Sequence, residues 1–165
     1  MSGTQAPEGL PAWEDLPDFG LYMDQLLTCV ERCYPGALTA GMINSYVKVG
    51  IVARPVGKKY SRLALAQLLM VTYLKPATPL DSLRRLLNPP DPELFAGVYG
   101  HFRELTRALA GEADDGDLSA LDCAIHAASY QDRCRRLLGP EPVPEEKEKH
   151  KPEPRGRYAQ APENS

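Results

Sequence analysis

Leu38-Thr39-Ala40-Gly41-Met42-Ile43-Asn44-Ser45-Tyr46-Val47-Lys48-Val49-Gly50-Ile51-Val52 is the stretch whose reading decides the fold. Thr39 is a favoured helix N-cap, because its hydroxyl accepts a bond from an otherwise unpaired N–H of the first turn. Gly50 stops the helix, because the residue just past a helix end often turns left-handed. Between them Ile43 and Val47 form an inner stripe at i,i+4, with Tyr46 beside them. Asn44, Ser45 and Lys48 fall on other faces, and Ala40, Asn44 and Lys48 share one. A short capped helix that stops at a glycine is the grammar of a helix-turn-helix.

The flanks supply the other parts. Asp18 is expected to cap a helix from about Phe19 to Cys33, with Tyr22, Met23, Leu26, Leu27, Val30 and Cys33 spaced three to four apart. Pro35-Gly36 ends it. Ile51 to Tyr60 reads as extended, with a turn around Pro55 to Lys58 that would make a small β-wing. Ser61 caps a helix from Arg62 to about Lys75 that is apolar nearly all round, as a central core helix is. Thr78-Pro79, with Asp81 behind them, start another helix to about Asn88. Asp91-Pro92 open one to about Gly111, with Leu94, Val98, Phe102, Leu105 and Leu109 as its apolar face. Asp117 caps the last, to about Leu138, with a stripe of Leu118, Leu121, Ile125, Ala128 and Asp132.

These elements predict a mainly α chain: a winged helix-turn-helix with a small β-wing, then a helical C-terminal region. Residues 1–17 form an N-terminal arm. Its Leu-Pro steps favour extended backbone, and Trp13 serves as an anchor. Residues 18–78 form the winged domain, and residues 79–138 a helical region. Residues 139–165 are proline-rich and charged, with too little apolar surface to fold, so a disordered tail is expected.

Charge points the same way. All 22 Asp and Glu residues lie outside Arg32–Leu80, which holds Arg32, Lys48, Arg54, Lys58, Lys59, Arg62 and Lys75. The chain as a whole carries a formal charge of −3. An acid-free basic segment in an acidic chain suits a surface that meets a polyanion. Against that stands an ordinary solvated surface that happens to lack acids.

From Met42 to Val52 the sequence resembles, without a gap, the recognition-helix segment of MerR-type regulators, usually Thr-Ile-Arg-Tyr-Tyr-Glu-x-x-Gly-Leu-Leu. Lys58-x-Tyr60-Ser61 followed by Leu65-Ala66-x-Leu68 is similar to that family's wing and next helix. The family's Arg and first Tyr, commonly DNA-backbone contacts, are Asn44 and Ser45 here, and the wing is shorter. A closer resemblance covers about residues 10–88. The arm Leu-Pro-x-Trp-x-x-Leu-Pro, Leu21-Tyr22-Met23-Asp24-Gln25, Met42-Ile43-Asn44-x-Tyr46-Val47-Lys48 and Lys58-Lys59-Tyr60-Ser61-Arg62 look like the uncharacterised bacterial domain-of-unknown-function family 1836. That resemblance carries no established activity.

The expected function is a bacterial transcription regulator on duplex DNA. Gly41, Asn44, Ser45 and Lys48 would face the major groove, while Lys58, Lys59, Tyr60 and Arg62 would hold phosphates. A homodimer through residues 117–138 is implied by the MerR resemblance, though both last helices would equally serve to complete a monomer core. The alternative is a protein-interaction adapter on the same fold without DNA. A small-molecule effector is left open.

Catalysis finds no support: His101, His126 and His150 stand in no nucleophile, P-loop or dinucleotide spacing. Asp114-Asp115-Gly116-Asp117 lacks the twelfth-position Glu of a calcium loop, where Ile125 stands. Tyr99, His101 and Phe102 are weak candidates for a small-molecule pocket against ordinary packing. Cys29 and Cys33 share a helix face at i,i+4, and Cys123 and His126 lie at i,i+3. No zinc-type spacing joins them, so no metal or cofactor is expected. With no basic start, no apolar leader and no run of about 20 apolar residues, no membrane is expected, and the cytoplasm is the expected compartment.

Overall fold

Gly50 is the hinge of the central motif. In the computed structural model, which describes residues 9–89, 91–112 and 119–140, its φ is +79°. Helix α2 (Ala40–Lys48) ends there in a paired cap. Gly50 N–H donates to Val47 O at 3.2 Å, and Ile51 N–H donates to Tyr46 O at 2.9 Å. These two bonds satisfy carbonyls that the helix end would otherwise leave bare, and a left-handed residue is needed to aim them. Ile51 is then delivered fully buried. At the other end Thr39 Oγ1 accepts from Met42 N–H at 3.2 Å.

Helix α1 (Met23–Cys33) precedes α2 across a six-residue connection. It starts four residues later than its apolar spacing predicts. Asp18 does not cap it; its carboxylate pairs with Arg62 at 3.5 Å. Gly20 turns left-handed, and Leu21 forms an antiparallel bridge with Tyr60. Only after that bridge can the backbone coil, with Tyr22 N–H donating to Gln25 Oε1.

Among the described residues there is no β-strand. The expected wing is reduced to isolated bridges, Val56 with Lys59 and Leu21 with Tyr60. The turn is centred on Gly57-Lys58, within the expected Pro55 to Lys58. Both residues have positive φ, +56° and +65°, the signature of a tight two-residue hairpin turn. The residue after Lys59, Tyr60, turns its N–H and C=O to Leu21 instead, and the hairpin pairing is a single rung.

Helix α3 (Arg62–Leu74), capped by Ser61, is the hub. Nine of its 13 residues are buried. Helices α1, α4 (Leu80–Leu87) and α5 (Phe95–Glu112) pack on it. Two polar residues are buried in its length. Thr72 donates back to Leu68 O at 2.7 Å, which satisfies its hydroxyl within the helix. Gln67, 1% exposed, accepts from Ala53 N–H at 2.7 Å and donates to Leu87 O at 2.8 Å. That amide therefore ties the segment after α2 to the end of α4. Helix α4 begins after Pro79 with no side-chain cap.

Helix α5 follows a short 3-10 turn, Pro92–Leu94, capped by Asp91. Its buried side overlaps the expected Leu94, Val98, Phe102, Leu105, Leu109 face only at Val98 and Phe102. Phe95, Tyr99, Phe102 and Thr106 are buried, whereas Leu94, Leu105 and Leu109 are half-exposed or more. The aromatic rings decide the rotation. Phe95 and Tyr99 meet Trp13 at 6.4 and 6.1 Å, and Phe102 meets Tyr73 edge-on at 5.6 Å. Larger rings bury more surface than leucines do, and Thr106 is tolerated among them because its hydroxyl bonds Phe102 O.

The arm is docked. Leu10 and Leu16 are buried around a 3-10 turn, Trp13–Asp15. Tyr99 Oη donates to Pro11 O at 2.8 Å, and Arg103 Nε to Leu10 O at 2.6 Å. One buried cluster runs from Leu10 through α3 to Phe102, across the 78/79 boundary. Helix α6 (Ala120–Leu138) packs against α4. Arg85 holds its end by donating to Leu138 O and Gly139 O. The expected Asp117 cap, Leu118 and the acidic Asp114–Asp117 loop lie outside the described residues, as does the tail beyond residue 140. Among the described residues no helix is long and apolar enough to cross a membrane.

Candidate nucleic-acid interface

Helix α2 divides cleanly. Ile43 and Tyr46 are buried, Val47 is half-buried, and Gly41, Asn44, Ser45 and Lys48 are exposed. The division follows from i,i+3 spacing, with Ile43 and Tyr46 turned toward the core. Gly41 has open space around it: a Cβ there would meet only Thr39 Oγ1 at 3.8 Å. Ser45 Oγ donates to Gly41 O at 3.0 Å, which leaves its lone pairs outward. Lys48 sits in the last turn, where its charge also suits the helix dipole. The first turn has no acid.

The hairpin tip is built from the other side. Lys58 and Lys59 are exposed. Lys59 Nζ lies 5.4 Å from the centre of the Tyr22 ring, a cation–π pairing that fixes its course. Its stem runs over Gly20, where a Cβ would stand 3.1 Å from Lys59 Cβ. A side chain at residue 20 would push the lysine off. Two backbone bonds, Leu21 N–H to Tyr60 O at 2.9 Å and Tyr60 N–H to Leu21 O at 2.7 Å, anchor the hairpin to the start of α1.

Two expected contact residues are placed elsewhere. Tyr60 is 5% exposed and belongs to the core; its backbone, not its ring, serves the surface. Arg62 is committed to the arm. It donates from Nε to Leu16 O at 3.2 Å, pairs with Asp18, and covers the Trp13 ring at 5.6 Å. The burial of Tyr60 follows from the Leu21 bridge, and Arg62 is drawn in by the acid and indole of the arm. Neither is visible from spacing along one segment. Lys75, also in the basic stretch, lies 5.7 Å over the Tyr46 ring.

Sequence reasoning missed Gln67 and Asn88. Asn88 Nδ2 donates to Gly50 O, so the turn after α2 is held from α4. A lone amide inside an apolar helix run was the available signal. The pocket expectation on α5 also changes: Tyr99 and Phe102 are core residues and His101 is exposed. Cys29, Cys33, Cys123 and Cys134 are free thiols. No group of three or more metal-ligating side chains occurs among the described residues.

These features define a mainly helical protein with a short, capped, cation-bearing helix beside a lysine-tipped hairpin. The family model described as a domain of unknown function (DUF1836) matches residues 11–95, just over half the chain, and the chain belongs to that family. The match takes in the arm from residue 11, α1 to α4 and the hairpin. No curated protein and no solved structure matches the chain.

Proposed function

We propose that this protein is a bacterial, cytoplasmic DNA-binding transcription regulator that reads duplex DNA through a MerR-like winged helix-turn-helix. In this reading α1 braces, α2 enters the major groove with Gly41, Asn44, Ser45 and Lys48, and the Gly57-Lys58 hairpin is a minimal wing. Lys58 and Lys59 hold phosphates; Tyr60 and Arg62 support the wing and the arm from behind. No catalysis, cofactor or metal enters the scheme.

The observation that carries the reading is Lys58. Its φ of +65° is one that side chains other than glycine rarely adopt. The left-handed region costs an ordinary residue about 1–2 kcal/mol. Asn, Asp and Gly are the favoured residues in such a turn. An exposed lysine held there against its conformational preference is the kind of outlier that function explains, and phosphate contact is the function its charge supplies.

We further propose a homodimer, formed through the apolar side chains that α5 and α6 leave exposed. Leu105, Leu109, Leu121 and Ile125 are all about half exposed or more. A two-fold dimer matches a palindromic operator. The second reading is a protein-interaction adapter, favoured by Phe19 and Val56, which are 72% and 83% exposed near the same hairpin.

Fluorescence anisotropy with pooled genomic duplex fragments separates the two. Binding that weakens steeply with salt is expected. Absence of binding at low ionic strength overturns the DNA reading and leaves the adapter. Each phosphate neutralised adds about 0.9 to the log–log salt slope, so Lys58→Ala with Lys59→Ala flattens it by about 2.

A further inference from the structure

Beneath the arm lies a cavity of about 330 Å³, at the small end of ligand-binding size. Its floor includes Cys29 and Cys33 of α1 and Leu65 and Leu69 of α3; its roof includes Pro11 and Leu16. Arg32 and Asp15, both exposed, complete its polar lining. The two thiols are partly buried, free, and on one face of one helix.

Residues at i,i+4 on a helix hold their Cβ atoms about 5–6 Å apart. A disulfide needs about 3.5–4.5 Å. The helix therefore resists closing the pair directly. A single soft atom inserted between the sulfurs, with bonds of about 2.3 Å each, spans the gap. No third His, Cys, Asp or Glu joins the pair in a metal-sized cluster among the described residues, so the donor set does not suit tetrahedral zinc. The apolar walls suit an organic group instead.

We propose that this cavity binds a small organic molecule whose soft electrophilic centre bridges Cys29 and Cys33, a trivalent organoarsenical being the simplest member of the class. With R–As(OH)₂, two S–H and two As–O bonds break and two As–S bonds form. The two protons leave with the two hydroxyls as water, and arsenic stays trivalent. Burial pushes the Cys33 thiol up, and the neighbouring Cys29 adds to it.

The roof gives the site a readout. Pro11 O is held by Tyr99 Oη, Leu10 O by Arg103 Nε, and Trp13 packs on Phe95 and Tyr99. Trp13 is the only tryptophan of the chain, so its emission reports the seating of the arm. The proposal does not depend on DNA binding.

The test uses the reduced full-length chain and phenylarsine oxide. Intact-mass analysis should show one adduct per chain, with two of the four thiols protected from iodoacetamide, and Trp13 emission should shift. The double variant Cys123→Ser, Cys134→Ser should behave like the parent. Cys29→Ser and Cys33→Ser should each weaken binding by about a hundredfold, the loss of a chelating second bond. Circular dichroism checks that each variant is folded, and Cys29→Ala replaces any that is not. The proposal is overturned by no adduct on the folded parent, by an adduct that survives both single substitutions, or by unchanged Trp13 emission on binding.

Discussion

Helices α3 and α6 both carry leucine and alanine along their length yet live in opposite environments. Nine of the 13 residues of α3 are buried. None of the described side chains of α6 is buried, and Leu121, Ile125, Tyr130 and Leu137 are 58–79% exposed. Isolated helices are marginal in water, and most helical stability in proteins comes from packing one face. Helix α3 has that packing on nearly every side. Helix α6 is held by α4, by Arg85 at its end, and by Asp132 paired with Arg135 and Arg136. The contrast teaches that one half of the molecule carries its own stability, while the other presents apolar surface outward. That is why the dimer is proposed there.

The largest effect should separate the two helices directly. Leu69→Ala in α3 is expected to cost about 2–5 kcal/mol in urea unfolding, the range for a fully buried leucine. Leu121→Ala in α6, measured on dilute protein, should stay within about 0.5 kcal/mol. Equal costs would mean that α6 is covered even in the dilute chain, and the comparison would fail.

Next comes Gln67→Ala. It leaves Ala53 N–H and Leu87 O without their buried partner, at roughly 1–3 kcal/mol. Hydrogen exchange should rise at Ala53 while α6 amides stay as they were. A change confined to α6 would break the link drawn between α3 and the turn after α2.

Alkaline titration probes the arm side of the same contrast. Burial, with Cys33 adding to it and Arg103 opposing it, pushes the Tyr99 phenol up from its ordinary 10 to about 12. Burial also pushes Tyr34 well above the tyrosine range. A raised acid pKa means the folded state keeps protons that the unfolded state loses. The stabilisation is whole below pH 10 and falls as pH climbs from 10 toward 12. Tyr99→Phe should make that fall shallower; an unchanged slope would remove Tyr99 from the account.

The smallest expected effect is at the hairpin. Lys58→Gly removes a left-handed lysine and should raise stability by about 1 kcal/mol. In the proposed regulator the same change weakens DNA binding. A stability loss instead would mean that Lys58 makes contacts worth more than its conformational cost.

Much of the local structure was legible. Thr39, Gly50 and Ser61 act through neighbours within five residues, so their caps stand where the sequence puts them. The apolar run 63–74 could only be a central helix. The start of α1 was misjudged because Leu21 pairs with Tyr60, 39 positions away. The face of α5 was misjudged because Trp13, on the arm, selects Phe95 and Tyr99 over the leucines. Of the candidate site, the α2 residues could be read from helical period alone. Tyr60 and Arg62 could not, because the arm and the bridge that claim them are remote in sequence.

By itself the sequence determined the helical segments, the Thr39 and Ser61 caps and the Gly50 stop, the acid-free segment and the lysine tip, all set by periodicity and by side chains acting on adjacent backbone. Only the tertiary structure decided which cations remain outward, which face of α5 turns in, and that two cysteines share a cavity with the arm. Those outcomes depend on burial competing between distant segments, and burial is a property of the packed chain rather than of any stretch within it.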